Sequence, residues 1–532
     1  MLSILTIVIW LASAVTLSAD EGQSLPAGQF VNPIGEGADP WVIRDTEHQR
    51  YLWCFSEGNR GIAIHTSTSL ASTGEKHIVW RTPERGSFSR EIWAPELHLL
   101  DGHWHIYFAA SDGRNENHLT WVLRSRTADP LGEYELHGPL RTGDGPNRDA
   151  PNIWAIDMTV LHFNNRRYAI WSGWDAPGTD QQYLYIAEMA SPLELRGPRV
   201  RLCNNADYVW ERVEPGPEHR GLHEGPQVLP APGRVLLTYS CAASWLPTYK
   251  LGLLELTGTD PLNPQHWQKR DRPFFESTEQ TYGVGHSCFV ESPDGSELWH
   301  VFHAKRDRRP GWRRSVFIQP LNFDERGEPQ PGTPIAAGIP QPLPAGTPDV
   351  TANDATAGYT IYAHHQYYEL DDSKIRLGLE PRHPINEYRS GEKAILEQTV
   401  ADNAEASVTI DFQGLANARD AGLLFRCTAP SVGYDAQRGY FAGLIPRTQL
   451  LILGRTDGTR WQELARQPTA IDVREPQQLR VQFVGDRIQV WHNERRCLDH
   501  RDATWTTGRV GLRVVDTDAV FSEFHVQAVT AQ

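Results

Sequence analysis

Positive charge is scarce in this 532-residue chain: 51 Lys and Arg stand against 66 Asp and Glu, a formal net charge of -15 with His neutral. Such a balance repels polyanions, so no nucleic acid is expected as a partner, while an uncharged polymer meets no penalty. Cysteine is sparse too. The six, Cys54, Cys203, Cys241, Cys288, Cys427 and Cys497, include no CxxC pair, and no dense His/Cys/Asp spacing supports a zinc centre. Cys54, Cys241 and Cys288 lie in apolar strand-like runs and read as buried thiols. Cys427 and Cys497 are the two that an oxidising compartment would allow to pair in the C-terminal part. Long apolar runs are confined to the beginning, where MLSILTIVIWLASAVTLSA (residues 1–19) precedes polar DEGQS and reads as a secretory signal peptide. A secreted, periplasmic or cell-surface protein follows from that reading; because the run has no Lys or Arg at its start, a retained membrane anchor is the other. No later segment offers the roughly 18 apolar residues needed to cross a bilayer.

What is plentiful is aromatic: 18 Trp, 17 Tyr and 17 Phe, flat apolar faces suited to packing or to stacking on sugar rings. The chain also repeats itself loosely. Segments beginning at Ala38 (ADPWVIRDTEHQRYLWCFSEG), Trp93 (WAPELHLLDGHWHIYFAAS), Ala155 (AIDMTVLHFNNRRYAIWSGW), His223 (HEGPQVLPAPGRVLLTYSC) and Gly285 (GHSCFVESPDGSELWHVFHA) share one plan. Each has a polar or acidic opening, a short apolar strand, a turn and a second, aromatic strand. Taking Asp39, Glu96, Asp157, Glu224 and His286 as anchors, the units are 57, 61, 67 and 62 residues apart, room for about four strands each. Sheets of that size cannot cover both faces alone, and radial stacking of five predicts a five-bladed β-propeller with the anchors at equivalent places on the inner strands.

Three anchors are acids in apolar company. Asp39 opens GADPWVIRD, Asp157 sits in WAIDMTV and Glu224 in LHEGPQV. A half-buried strand disfavours a carboxylate unless it is paired or functional. Glycosidic cleavage needs a proton for the leaving oxygen and an activated water or a carboxylate nucleophile, with the third acid free to perturb one of the others.

From about Asn32 to about Pro334 the chain resembles glycoside hydrolase family 43, above all its α-L-arabinofuranosidase-like members. The resemblance is carried by ADPWVI, WAPELHLLDGHWHIYFAAS, AIDMTV, HEGPQVL with LLTYS, YKLGLLELTG, and YGVGHSCFVESPDG with WHVFHA, in order and at propeller spacing. It implies a five-bladed propeller, an inverting mechanism and no organic cofactor, with Asp39 as general base, Glu224 as general acid and Asp157 as the carboxylate that tunes Glu224. It further implies His286 near the floor of the cavity, against a water or a central cation such as a structural calcium. Trp93 becomes a sugar-contacting wall and Arg314, rather than Arg313, a ligand of substrate hydroxyls. Glu96 is expected to brace a loop, and Trp174 and Trp245 are further pocket candidates. Phe317 stands where the arabinofuranosidase-like branch often has a basic residue. The implied substrate is an arabinose-containing plant-type polysaccharide or oligosaccharide attacked from its end; β-xylosidase, endo-arabinanase, galactan-directed hydrolase and a non-catalytic carbohydrate-binding protein are the rivals.

With the propeller placed over residues 30–340, a Pro/Gly-rich linker over 341–353 leads to a second all-β part, 354–532. Its strands KAILEQTV, ASVTIDFQG, AGLLFRC and GYFAGLI predict a β-sandwich, and VQFVGDRIQVWHN a hairpin turning at Gly485 and Asp486. From about Ala394 to Val529 it resembles the concanavalin-like, LamG-like jelly-roll modules of polysaccharide hydrolases, which implies either carbohydrate binding or a brace against the propeller.

Overall fold

The computed structural model describes residues 28–143, 152–213, 221–305, 308–348, 358–363, 368–370, 373–378, 391–396, 402–458 and 460–529. The 1–19 segment read as a signal peptide lies outside them. Among the described residues no helix is long and apolar enough to cross a membrane.

Five antiparallel sheets follow one another along the chain, opened by Trp41–Asp45, Arg90–Leu100, Ala155–Phe163, His223–Ala231 and Tyr282–Glu291. Each opening strand packs against the next and the fifth returns to the first, so these are the innermost strands of a closed five-bladed propeller. The apolar cores lie between blades. In Arg50–Ser56 successive residues point to opposite faces, and both faces are covered. Tyr51 and Trp53 meet Val301 and Ile318 of blade five, while Leu52 and Cys54 meet Leu97 and Ile106 of blade two. That is why such strands read as continuous apolar runs. Trp171 and Tyr107 fill the gap between blades two and three, and Leu251, Phe302 and Phe317 the gap between four and five. Phe317 is therefore core, away from the cavity described below.

The ring is closed by the beginning of the chain. Gly35–Glu36 adds to the outer edge of Ser315–Phe323 in blade five, with Ile34 N–H donating to Val316 O (2.9 Å) and Gly37 N–H to Arg314 O (3.2 Å). Where that pairing ends, the buried Asn32 side chain takes over. Its Nδ2 donates to Ile318 O (2.7 Å) and its Oδ1 accepts from Ile318 N–H (3.0 Å), as a neighbouring strand would. Gln29–Val31 then pairs with Pro340–Pro342, and Leu343 packs beneath blades one and five. The first part of the expected 341–353 linker thus belongs to the propeller body; residues 349–353 lie outside the described residues.

The C-terminal part is two seven-stranded antiparallel sheets sharing one core. Ala406, Val408 and Ile410 alternate inward from one, Leu423 and Phe425 from the other. The hairpin turns at Gly485 and Asp486, Val484 pairing with Arg487 as expected. The pairing of Cys427 with Cys497 does not occur: all six cysteines are free. Cys427 packs on the outer face of one sheet with Leu424 and Phe441, whereas Cys497 lies against the inner core from the other, so the two are on opposite sides of a layer.

Asn32→Ala leaves two buried backbone groups of Ile318 without partners. Each should cost about 1–3 kcal/mol, seen as a lower thermal midpoint for the propeller; an unchanged midpoint would show that the side-chain ladder contributes nothing to closure.

Candidate active site

The inner strands of blades two to five each carry one extra residue at the same point. Trp93 faces Ala109 and Glu96 faces Tyr107; Ile156 and Thr159 face Ser172 and Ile170; Glu224 and Gln227 face Ser240 and Thr238; Gly285 and Cys288 face His303 and Val301. A three-residue step against a two-residue step is a β-bulge, which re-aims side chains at the end of a strand. The first bulged residue is left-handed in every case: φ is 42° at Ala94, 55° at Asp157, 53° at Gly225 and 50° at His286, and 51° at Asp39 in blade one. Asp39, Asp157 and His286 are thus equivalent, as expected. Glu224 and Glu96 are not: Glu224 stands one residue before the equivalent position and Glu96 two after it. Pro40, Pro95 and Pro226 each follow the left-handed residue, a place where no ladder N–H is required.

Because the bulge turns consecutive side chains to one side, Glu224 and Asp157 reach the same cavity from different registers. That cavity has a volume of about 590 Å³ and is bounded by all five blades. Asp39, Trp93, Asp157, Glu224, His286 and Arg314 all line it. So do Trp154, Gln182, Trp245 and Trp312, of which only Trp245 was expected. Trp174 instead stacks behind Trp154, ring centroids 5.0 Å apart. Trp93 is held by His118, stacked at 3.8 Å. Arg313 leaves the cavity for the C-terminal domain.

The three acids have different surroundings. Asp39 Oδ1 lies 3.2 Å from His286 Nδ1, 3.2 Å from His303 Nδ1 and 3.6 Å from Arg314 Nη1. Burial opposes its ionisation, yet His286, Arg314 and His303 reverse the sign and hold the carboxyl far below the ordinary range. Glu224 accepts from Tyr249 Oη–H (2.8 Å) at Oε1 and from Gln182 Nε2 (3.2 Å) at Oε2. Burial raises its pKa, the Tyr249 bond opposes this, and the charge of Asp39 adds to the rise. Asp157 receives one bond, from Gly225 N–H to Oδ2 (3.0 Å). Its burial, with Glu224 and Asp39 close by, pushes its pKa well up.

Two glycines make room for this. A Cβ on Gly225, already at positive φ, would come 3.1 Å from His286 Nδ1 and 3.2 Å from Ser240 Oγ. A Cβ on Gly285 would meet the Tyr249 ring at 2.3 Å, so only glycine lets that ring cross the strand to Glu224. Tyr249, Gln182 and His303 were missed as site residues because they come from second and third strands, outside the repeat's opening position. Glu96 lies outside the cavity lining. It is buried below, bonded to Gln227 Nε2 and 3.0 Å from His98 Nε2, where it ties blade two to blade four.

His286 turns Nδ1 to Asp39, and among the described residues no group of three or more His, Cys, Asp or Glu is set to hold a metal directly.

Since Asp157 binds its proton more tightly folded than unfolded, the stability it contributes is complete below the ordinary carboxylate value of about 3.9 and is lost as pH rises toward the folded value. Asp157→Asn removes that loss and keeps an acceptor for Gly225. Its thermal midpoint at pH 7 should exceed the parent's by about 2–4 °C for each kcal/mol recovered, and the gap should close near pH 4. A lower midpoint at pH 7 would contradict the assignment of Asp157 as a destabilising buried acid.

The profile of Glycosyl hydrolases family 43 matches residues 30–329, and that of the 3-keto-alpha-glucoside-1,2-lyase-like domain matches residues 365–527. The chain is 33% identical over 307 residues to an extracellular exo-alpha-(1->5)-L-arabinofuranosidase of Streptomyces chartreusis, covering 56% of this chain and 89% of the other. With alpha-L-arabinofuranosidase 43 of Humicola insolens it shares 30% identity over 346 residues, 62% of this chain and 69% of that one. The crystal structure of alpha-L-arabinofuranosidase from Lactobacillus brevis superposes with a TM-score of 0.52 at 30% identity, over 58% of this chain and 98% of that chain. A propeller matched over more than half the chain, with an acid-lined cavity at its centre, makes this protein a glycoside hydrolase belonging to family 43.

Proposed function

We propose that the protein is an inverting, exo-acting α-L-arabinofuranosidase that removes terminal arabinose from arabinose-containing plant-type polysaccharide or oligosaccharide. The observation that carries the reading is the contrast among three acids in one cavity: Asp39 is kept ionised while Glu224 and Asp157 are pushed toward the protonated form. Such a separation of environments suits a base and an acid acting together. Asp39, gripped through Oδ1, offers Oδ2 to a water and draws its proton as the water attacks the anomeric carbon. Glu224 gives its proton to the departing glycosidic oxygen, burial and the charge of Asp39 favouring the protonated form that the step requires, and Asp157, itself pushed up by Glu224, stands close by as the third acid. Arg314 and His286 hold Asp39, and Trp93, Trp154, Trp245 and Trp312 supply apolar faces for the sugar. Walls from all five blades surround the acids, and the curated relatives are described as arabinofuranosidases, one of them exo-acting, which supports attack at a chain end.

The test begins with arabinan, arabinoxylan and synthetic arabinofuranosides, xylosides and galactosides. Arabinose release from chain ends is expected, and proton NMR of an α-arabinofuranoside digest should show the β anomer first, as single displacement demands. Asp39→Asn and Glu224→Gln should each lower turnover about 100- to 10,000-fold with the fold intact. Xylose release without arabinose would overturn the substrate, and an α anomer first would overturn the mechanism.

The Tyr249 hydroxyl favours ionised Glu224, so its removal should raise the acid's pKa further. Tyr249→Phe is therefore expected to move the alkaline limb of the kcat/KM profile to higher pH. A shift to lower pH would mean that Glu224 does not govern that limb.

A further inference from the structure

Trp312, Arg313 and Arg314 form a short lip between the cavity and the C-terminal domain. Arg314 turns inward to Asp39, and Trp312, 55% exposed, leans on Trp245 with ring centroids 5.6 Å apart. Arg313 turns outward, its guanidinium carbon 4.8 Å above the ring of Tyr434 in the C-terminal domain. Three consecutive residues thus meet blade four, the second domain and the carboxylate at the cavity floor. The lip has two further ties: Gly311 N–H donates to Trp245 O (2.8 Å), and Lys305 Nζ donates to Gly311 O.

The loop that presents Tyr434 is held with unusual firmness. Lys393, completely buried, points its ammonium at main-chain carbonyls of Ser431 (2.8 Å), Gly391 (3.3 Å) and Gly433. Arg513, also buried, donates to Tyr434 O (3.0 Å), and Gly391 passes so close that a Cβ there would lie 2.2 Å from Tyr434 Cα. Burying a lysine costs several kcal/mol unless its donors are satisfied, and here they converge on one loop whose tip stands over Arg313. Beside it the domains also touch through Val31, which packs into the apolar cluster of Val432, Phe441 and Ile452.

From this geometry we infer that Tyr434 is a positioning residue for the sugar cavity: its ring holds Arg313, and through the lip sets where Arg314 meets Asp39 and where Trp312 meets substrate. The inference rests on reading the Asp39 cavity as the sugar site. It gives the second domain a part in the reaction that does not require it to bind carbohydrate itself. A cation over an aromatic face needs the ring and not the hydroxyl, so phenylalanine should serve as well.

The experiment uses the full chain and four variants: Tyr434→Ala, Tyr434→Phe, Arg313→Ala and the double alanine variant. With a synthetic arabinofuranoside, Tyr434→Ala should lower kcat/KM about 10-fold, short of the roughly 100-fold that a 1 Å misplacement of a positioning group can cost. Tyr434→Phe should stay within about twofold of the parent, and the double variant should be no slower than the slower single one, as expected for residues acting through one contact. Hydrogen exchange of the peptide 308–317 supplies a readout independent of substrate: exchange at Gly311 and its neighbours should quicken in Tyr434→Ala and Arg313→Ala and not in Tyr434→Phe. A parent inactive on arabinofuranosides would sink the proposed function while leaving the exchange result to decide this one. Unchanged exchange in Tyr434→Ala, additive losses in the double variant, or a lowered thermal midpoint with kcat/KM untouched would each overturn it.

Discussion

Three carboxylates enclosed in one cavity repel each other and miss their water, and the rest of the catalytic domain is arranged around that difficulty. Asp39 is answered with charge, Glu224 with two neutral donors, and Asp157 with a single backbone N–H. The unequal answers separate the three chemically although they share one space. None of the compensating groups comes from the same strand as the acid it serves. His286, His303 and Arg314 reach Asp39 from blade five, Tyr249 reaches Glu224 from within blade four, and Gly225 reaches Asp157 from the next blade. Closing the ring is therefore what makes the acids tolerable, and the apolar cores between blades supply the driving force for it.

The bulges do the aiming. A regular strand would send Glu224 and Gly225 to opposite faces; with an extra residue inserted, Glu224 enters the cavity while the left-handed Gly225 turns its N–H to Asp157. Left-handed backbone at Ala94 and His286 is unfavourable for such residues, and strain of this kind persists only where surroundings over-determine it. Here the surroundings are specific: His286 N–H is fixed by Ser240 Oγ at 2.8 Å.

The propeller and its five units were legible because each unit opens with a polar residue before an apolar strand, and seven cavity residues, Trp245 among them, were legible from those openings together with the family resemblance. The register was not. Anchoring on acids equated Glu96 and Glu224 with Asp39, whereas the recurring feature is a left-handed residue, at Asp39, Ala94 and Gly225 followed by proline; anchoring on Asp39, Ala94, Asp157, Gly225 and His286 would have placed all five. Glu96 looked like a loop brace because a buried carboxylate bonded to Gln227 across the ring leaves no local pattern. Tyr249, Gln182 and His303 were hidden for another reason: their roles depend on strands meeting across blades, and one-dimensional spacing carries no such information. The cysteines were misjudged from proximity in domain alone, since which face of a sheet Cys427 and Cys497 occupy is decided by register.

The use of the chain's beginning to close blade five has a consequence for timing. Asp39 is among the first of the cavity residues to be synthesised, and His303, whose Nδ1 meets its backbone N–H at 3.1 Å, is 264 residues further on. At ordinary translation speeds of about 5–20 residues per second, roughly 15–50 s separate the two. During that interval Asp39 is an ordinary hydrated carboxylate, Gly35–Glu36 has no edge to join, and no cavity exists to hold a sugar. A nascent chain is thus silent toward its substrate until the last blade is made, and a truncation within that blade removes the whole catalytic apparatus rather than a fifth of it.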